Sequence, residues 1–187
     1  MNSVLMAISG PSGVGKGTIV KKFLERRKEV GVSVSCTTRA PRTGEVNGKD
    51  YFFITREEFL RRKDEGGFLE WDEHFGNFYG TPKAFVEEQL KKRSLILEID
   101  VVGALNAKKH FPDCALIMIV PPSVDELKKR LEGRQSETEE QVCSRLQRLD
   151  YELSKADEYD YVVVNDDLEN AVNKLEEIYL SLLTKKA

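Results

Sequence analysis

The fold is decided near the start of the chain, where the sequence from residue 10 reads Gly10-Pro11-Ser12-Gly13-Val14-Gly15-Lys16-Gly17-Thr18. An apolar run at residues 4–8 precedes this stretch, and helical periodicity follows it. Glycines here let successive backbone N–H groups converge on phosphate oxygens, and the next helix adds the positive end of its dipole. Lys16 supplies a point charge for the outer phosphates. In the order strand, loop and helix, the motif predicts a phosphate-binding loop rather than a simple tight turn.

One position departs from the common pattern of such loops. The residue after the lysine is usually Ser or Thr, whose hydroxyl holds Mg²⁺, but here it is Gly17, and Thr18 comes next. Direct coordination of the metal by a hydroxyl is therefore in doubt. Thr18 either contacts a phosphate or serves the metal indirectly, with nucleotide oxygens and water as the main ligands.

Composition limits the class of protein. With 187 residues, 40% of them hydrophobic and 33% charged, the chain has the size and balance of one compact soluble unit. A net charge of −3 gives no general attraction to nucleic acid, and no window is apolar enough to span a bilayer. We expect neither partner. Cys36, Cys114 and Cys143 make neither a disulfide framework nor a metal site, which favours a cytoplasmic location.

Apolar runs and helical stretches alternate along most of the chain. Runs at residues 4–8, 95–99, 115–120 and 161–164 predict strands of a parallel α/β sheet, and residues 32–36 alternate like a further strand. Helices are predicted over residues 17–28, 55–65, 82–92, 103–110, 123–131 and 138–155, and after Asp167. Thr55 and Glu58 form the pattern of a capping box.

Residues 35–82 break this rhythm, because they are polar, rich in turns and contain only short strands. They predict a β-rich insertion at the carboxyl edge of the sheet, where ligands bind in open α/β folds. Arg39 and Arg42 flank a proline there, and Tyr51 follows. Two guanidinium groups can hold one phosphate. Taken alone, the segment fits a solvated turn equally well; beside a phosphate-binding loop, a second phosphate site would hold an acceptor.

These features together resemble the guanylate kinases, and the resemblance covers nearly all of the chain. It rests on motifs that occur in order: residues 10–18, Ser-Cys-Thr-Thr-Arg-Ala-Pro-Arg at 35–42, Gly-Glu-Val-Asn-Gly-Lys-Asp-Tyr at 44–51, Phe-Leu-Glu-Trp at 68–71, Tyr-Gly-Thr at 79–81, Glu-Ile-Asp at 98–100, Arg-Leu-Glu-Gly-Arg at 130–134 and Val-Asn-Asp-Asp at 164–167. The resemblance implies phosphoryl transfer from ATP to GMP, and also to dGMP, with Mg²⁺ as cofactor.

The same resemblance implies an α/β P-loop fold of three layers, with a parallel core sheet, a mixed β-rich GMP-binding insertion and a helical lid. The core would comprise residues 1–34, 83–123 and 151–187, the insertion residues 35–82, and the lid residues 124–150.

Site residues carry over position by position. The loop at 10–18 and Asn165 would bind ATP. The GMP phosphate would be bound by Arg39, Arg42, Tyr51 and Tyr79, and guanine by Ser35, Glu70 and Thr81. Guanine presents two neighbouring N–H donor groups that one carboxylate can accept, and adenine offers no such pair. Taken alone, Glu70 fits a surface acid at a strand edge.

Two acids lie at the end of the predicted strand 95–99. Asp100 would serve Mg²⁺ indirectly and take part in GMP binding and catalysis, and the alternative is that it caps the next helix. Glu98 lies two residues earlier, so its side chain points the same way along the strand, and it would help to position GMP.

Arg130, Arg134 and Arg145 lie in a stretch that is also rich in Glu, and by composition alone they fit a solvated helix face. The resemblance implies instead that they act with Lys16 in catalysis, and that Arg134 and Arg145 close over the transferring phosphoryl group with Arg130 nearby. Phosphoryl transfer needs positioning and charge neutralisation more than covalent chemistry, and a closing lid also excludes water.

Two other functions stay open at this point. Guanylate-kinase-like domains of scaffolding proteins keep the fold and bind phosphorylated peptides without catalysis, but they typically have a degraded phosphate loop, whereas Lys16 is present here. A related kinase for another phosphorylated sugar or nucleotide is disfavoured by Ser35, Glu70 and Thr81. The expected partners are therefore ATP and GMP, bound by a monomer or small homo-oligomer.

Overall fold

The computed structural model describes residues 3–74, 76–123, 125–127 and 149–185. Its strands are β1 (Leu5–Ser9), β2 (Gly31–Val32), β3 (Cys36–Thr37), β4 (Phe52–Phe53), β5 (Phe68–His74), β6 (Asn77–Pro82), β7 (Leu95–Glu98), β8 (Ala115–Val120) and β9 (Tyr161–Val164). Its helices are α1 (Lys16–Arg26), α2 (Arg56–Asp64), α3 (Lys83–Leu90), α4 (Val101–His110) and α5 (Leu168–Lys185). Residues 125–127 and 149–154 are also helical, and Ala156–Glu158 form a 3₁₀ turn.

The main sheet has the order β2-β7-β1-β8-β9, and every neighbouring pair in it is parallel. β1 is central: Leu5 pairs with Leu95 of β7 on one side, and Met6 pairs with Ala115 of β8 on the other. All residues of β1 are buried, as expected of a strand covered on both faces. The predicted parallel α/β sheet is confirmed.

Alternation along β1 assigns its side chains to two separate cores. Met6 and Ile8 pack with residues of α1 and α5, whereas Leu5 and Ala7 pack with residues of α3 and α4. Helices therefore cover both faces of the sheet, and the predicted three-layer arrangement is confirmed.

The insertion forms a second sheet with the order β4-β3-β6-β5, in which β3 and β4 are parallel and the other pairs antiparallel. Its own small core is aromatic: the ring of Phe59 stacks on Phe68 and Phe78, with centroids 4.4 and 5.2 Å apart. A mixed, β-rich insertion is what the sequence predicts.

The prediction of a single strand over residues 32–36 is wrong. Val32 pairs with Ile96 in the main sheet, and the chain then crosses to the second sheet, where Cys36 pairs with Phe52 and Gly80. Alternation of apolar residues predicts an extended backbone, but it cannot say which sheet each half of the segment joins.

The capping box predicted at α2 forms only in part. The Thr55 hydroxyl accepts from the backbone N–H of Glu58 at 3.2 Å, so the N-cap is confirmed. The Glu58 carboxylate does not complete the reciprocal half; it accepts hydrogen bonds from Arg61 and Arg62. Charged partners one turn further along the helix compete successfully for it.

Cys36 and Cys114 are buried, and Cys143 lies outside the described residues. In the described ranges, no helix combines the length and the apolar character needed to cross a membrane.

We predict that Phe23→Ala lowers the free energy of unfolding by about 3–5 kcal/mol. Phe23 is 0% exposed, and its ring meets that of Tyr179 edge-on at 5.7 Å, so truncation removes a buried aromatic contact between α1 and α5. Urea denaturation measures the loss. Leu180→Ala is the matched control, because Leu180 is 44% exposed on α5. Equal losses in the two variants would contradict the packing described here.

Candidate active site

The loop between β1 and α1 is shaped by a close approach of Gly10 to β8. Gly10 has φ +153°, and a Cβ atom at this position would lie 2.3 Å from the Ile119 carbonyl oxygen. No residue other than glycine fits without moving the strand. Gly15 forms the N-cap of α1 with φ +94° and no side-chain cap, so the helix begins directly from the loop backbone. This arrangement suits an anion at the N-terminus of the helix.

Asn165 holds this loop from the end of β9. Its side-chain amide donates to the Val14 carbonyl at 2.7 Å, and a Cβ atom on Gly15 would lie 2.6 Å from the same nitrogen. Asn165 is buried. The structure thus places Asn165 against the backbone of the loop, where it fixes the loop's shape.

Lys16 reaches across to the segment that follows β7. Its ammonium group donates to the Ile99 carbonyl at 3.2 Å. The positive charge therefore lies against the segment that carries Glu98 and Asp100. A Cβ atom on Gly17 would lie 3.3 Å from the Glu98 carboxylate. The glycine that replaces the usual hydroxyl residue therefore lies beside an acid that faces the loop.

Asp100 is the N-cap of α4, and its Oδ1 accepts from the backbone N–H of Gly103 at 2.8 Å. The capping alternative is therefore confirmed. A cap does not consume both carboxylate oxygens, so a second role in ligand binding is compatible with it.

Arg39, Tyr51 and Tyr79 come together in the second sheet. The guanidinium of Arg39 lies over the Tyr51 ring, 5.6 Å from its centroid, and the Tyr51 and Tyr79 rings meet at 6.0 Å. Burial raises the pKa of the Tyr51 hydroxyl, and the nearby Tyr79 and Glu98 act in the same direction. Tyr51 is therefore a protonated donor at neutral pH.

Glu45 joins the two predicted phosphate-binding arginines. Its carboxylate accepts from both Nη atoms of Arg39, at 3.0 and 2.8 Å, and from the backbone N–H of Arg42 at 2.7 Å. The Arg42 side chain is exposed. Glu45 is absent from the site residues that the sequence predicts. An acid placed between basic residues in a polar loop is a signal that could have identified it.

Glu70, which is partly buried, pairs with the fully buried Thr81 where the second sheet meets α4. The Thr81 hydroxyl donates to Glu70 Oε1 at 2.6 Å, and the Ser35 hydroxyl lies 3.4 Å from that of Thr81. Burial raises the pKa of Glu70 above the ordinary 4.5, despite the hydrogen bond from Thr81. The charge of Asp100 raises it further.

Gly103 makes room for this acid. A Cβ atom on Gly103 would lie 2.8 Å from Cγ of Glu70, so a larger residue in α4 would displace the carboxylate. The only sequence signal is a glycine near the start of a predicted helix. A cavity of about 450 Å³ opens here, lined by Glu70, Trp71, Asp72, Asp100, Val102, Gly103, Asn106 and Tyr151.

The predicted lid arginines Arg130, Arg134 and Arg145 lie outside the described residues. Among the residues that are described, no group of three or more His, Cys, Asp or Glu side chains is arranged to hold a metal ion.

Comparison with known proteins agrees with this geometry. The family model described as guanylate kinase matches residues 2–182. The chain belongs to the guanylate kinase family. It is 46% identical over 179 residues to the guanylate kinase of Caldanaerobacter subterraneus subsp. tengcongensis, covering 95% of this chain and 87% of that protein. It is 49% identical over 172 residues to the guanylate kinase of Synechocystis sp. (strain PCC 6803), covering 91% and 90%.

The solved structures that resemble this fold include a guanylate kinase. The crystal structure of guanylate kinase from Anaplasma phagocytophilum superposes with a TM-score of 0.74 at 38% identity, covering 96% of this chain and 85% of that one. A shikimate kinase from Bacteroides thetaiotaomicron matches with a TM-score of 0.55 at 17% identity, which shows a shared fold alone. The resemblance read from the motifs is confirmed.

For a guanylate kinase loop of this shape, we predict that Gly10→Ala lowers the free energy of unfolding by about 2 kcal/mol or more, because the new Cβ meets a backbone oxygen that cannot move alone. Urea denaturation tests this. Gly66→Ala separates the clash from backbone strain: Gly66 also has positive φ, +67°, but has open space around its Cβ position. We expect a loss of about 1 kcal/mol there. Losses of equal size would show that contact with Ile119 does not constrain the loop.

Proposed function

We propose that this protein transfers the γ-phosphoryl group of ATP to GMP, giving ADP and GDP. Membership of the guanylate kinase family over residues 2–182 supports the reaction. The single observation that carries the choice of acceptor is the Glu70–Thr81 pair. The pair lies in the second sheet, whereas the phosphate loop follows β1 of the main sheet. This separation supports a base-binding site for a second nucleotide.

Guanine recognition follows from the chemistry of that pair. Thr81 donates to the Glu70 carboxylate through its hydroxyl and its backbone N–H, and an ionised carboxylate has about four acceptor positions. The remaining capacity matches the N1–H and N2–H₂ donors of guanine. Adenine would leave a buried charge poorly satisfied, which costs binding energy. Ser35 and Thr81 would contribute hydroxyl contacts to the same base.

The acceptor phosphate would be bound by Arg39, Arg42, Tyr51 and Tyr79. Charge-assisted hydrogen bonds from guanidinium groups to phosphate are strong and directional. Glu98 lies near both Gly17 and Tyr51, so it would position GMP between the two phosphate sites.

The donor would be ATP, held by residues 10–18, with its outer phosphates at Lys16. Asn165 would act on ATP binding through the loop that it supports. The reaction needs little covalent chemistry from the protein; it needs two phosphates in line and their charge neutralised. Arg130, Arg134 and Arg145 would supply positive charge from the lid over residues 124–150, which stays a prediction from sequence, as do the bounds of the core and the insertion.

Mg²⁺ is expected with ATP. The donor set near the loop fits an ion held mainly by nucleotide oxygens and water, because Thr18 offers one hydroxyl and Asp100 already caps α4. Thr18 and Asp100 would hold it through its water ligands. When bound, the ion neutralises charge on the phosphates. A cytoplasmic location, a monomeric or small homo-oligomeric state, use of dGMP, and the lack of nucleic-acid or membrane partners stay predictions.

A coupled assay of ADP release tests the function. With ATP and Mg²⁺, we expect turnover with GMP and none above background with AMP, CMP or UMP. Lys16→Met is the matched control for contaminating kinases, because it keeps the length of the side chain and removes its charge. Binding of GMP without turnover would favour the scaffolding-type alternative instead.

We further predict that Glu70→Gln raises the KM for GMP by about 100-fold and leaves the KM for ATP unchanged, since an amide presents one acceptor where the carboxylate presents two. The pKa of Glu70 is raised above 4.5, so its proton returns as the pH falls towards that raised value. The KM of the wild type for GMP should therefore rise on acidification.

The pH dependence has an internal control. Protonation of the GMP phosphate affects the wild type and Glu70→Gln equally. The KM for GMP of the variant divided by that of the wild type therefore reports on the protonation of Glu70. We expect this ratio to shrink as the pH falls. A ratio that stays constant across the acid range would exclude an ionised Glu70 as the acceptor of guanine.

A further inference from the structure

Glu45 contacts both of the arginines that are proposed to bind the acceptor phosphate. Its carboxylate takes both Nη atoms of Arg39 in a paired arrangement and also accepts from the backbone of Arg42. The side chains of Arg39 and Glu45 are only 16% and 20% exposed. A paired, half-buried geometry of this kind is stronger and more directional than an ordinary surface ion pair.

The contacts of Arg39 restrict it from several sides. Besides Glu45, its Nη1 donates to the Ala40 carbonyl at 2.7 Å, and its guanidinium lies over the rings of Tyr51 and Phe53. A further side-chain hydrogen bond links it to Tyr79, and the bonds with Glu45 raise the pKa of Arg39 most. The plane of the guanidinium is thereby fixed before any ligand arrives.

We propose that Glu45 is a positioning residue for the phosphate of the acceptor nucleotide. It orients the Arg39 guanidinium against Tyr51 and Tyr79 and links it to the backbone of Arg42, so that the Arg39 guanidinium is held in place to receive a phosphate monoester. This inference rests on the proposed function, because it assigns Arg39 and Arg42 to the acceptor phosphate.

The opposite reading is that Glu45 occupies the site of the phosphate and is displaced by it. Local geometry disfavours displacement. The backbone N–H of Glu45 donates to the Arg42 carbonyl at 3.0 Å while the Glu45 carboxylate accepts from the Arg42 N–H. The carboxylate thus adds a second hydrogen bond to this turn, and releasing it would take that acceptor from the Arg42 N–H. The two readings also predict effects of opposite sign.

The experiment compares Glu45→Gln, Glu45→Asp and Glu58→Gln with the wild type. The amide of the first variant would present one acceptor and a donor group to the Arg39 fork, whereas the shorter carboxylate of the second would keep the charge. Glu58 is the matched control, because it pairs with Arg61 and Arg62 in the same insertion, and the structure places it in neither nucleotide site. Affinities for GMP and for guanosine, which lacks the phosphate, are measured by calorimetry beside steady-state kinetics.

We expect Glu45→Gln to weaken GMP binding and raise the KM for GMP by about 10-fold or more, the scale of one lost charge-assisted contact. The affinity for guanosine, the KM for ATP and the kcat at saturating GMP should stay close to those of the wild type. Glu45→Asp should recover a large part of the GMP affinity. Glu58→Gln should match the wild type throughout.

Three results would overturn the proposal. Tighter GMP binding in Glu45→Gln would show that the carboxylate competes with the phosphate. Equal losses for GMP and guanosine would show a general structural role. Unchanged GMP affinity would show that Arg39 needs no such support. If the wild type binds GMP without turnover, the proposed function fails, and the comparison of GMP with guanosine still decides the role of Glu45.

Discussion

β1 lies between β7 and β8, and its parallel register brings Ile8 level with Glu98 on one side and Ile117 on the other. Strands that run together also end together, so the chain after β1 must meet the chain after β7 at one edge of the sheet. That constraint places the phosphate loop beside residues 98–100 and explains why Lys16 reaches the Ile99 carbonyl. Everything else in the candidate site is arranged around this meeting point.

The second sheet contributes the Glu70 carboxylate to the candidate site. A buried acid is costly unless hydrogen bonds satisfy it, and the raised pKa of Glu70 expresses that cost. Thr81 offsets part of it, and Gly103 of α4 leaves the space in which the carboxylate lies. A carboxylate with acceptor positions left over gains most from a ligand with adjacent N–H donors. Under the proposed function, selectivity for guanine would arise from the same burial that raises the pKa of Glu70.

Most strands of the main sheet and several residues of the candidate site could be predicted from the sequence. The features that could not be predicted have physical causes. Strongly apolar runs such as 115–120 identify buried parallel strands because few other structures bury every residue. The split of residues 32–36 between two sheets could not be predicted, since pairing partners are distant in sequence. The motifs predict roles for Glu70 and Arg39 through the family resemblance, and those roles stay predictions. Gly103 and Glu45 were not predicted, because their contacts with Glu70 and Arg39 become visible only once the neighbours are placed.

The two proposed phosphate sites would bind phosphate with different groups, one with backbone N–H groups and the other with side chains. The loop at residues 10–18 relies on backbone geometry, which the fold fixes through the contact of Gly10 with Ile119. The proposed acceptor site would rely on arginine side chains, and ordering such a chain costs about 2 kcal/mol of rotamer entropy. The loop backbone is held by Gly10 and Asn165 within the fold, whereas a side-chain site binds well only if a neighbouring group orders it first. The proposed role of Glu45 would meet that need for Arg39, because the carboxylate pairs with the guanidinium.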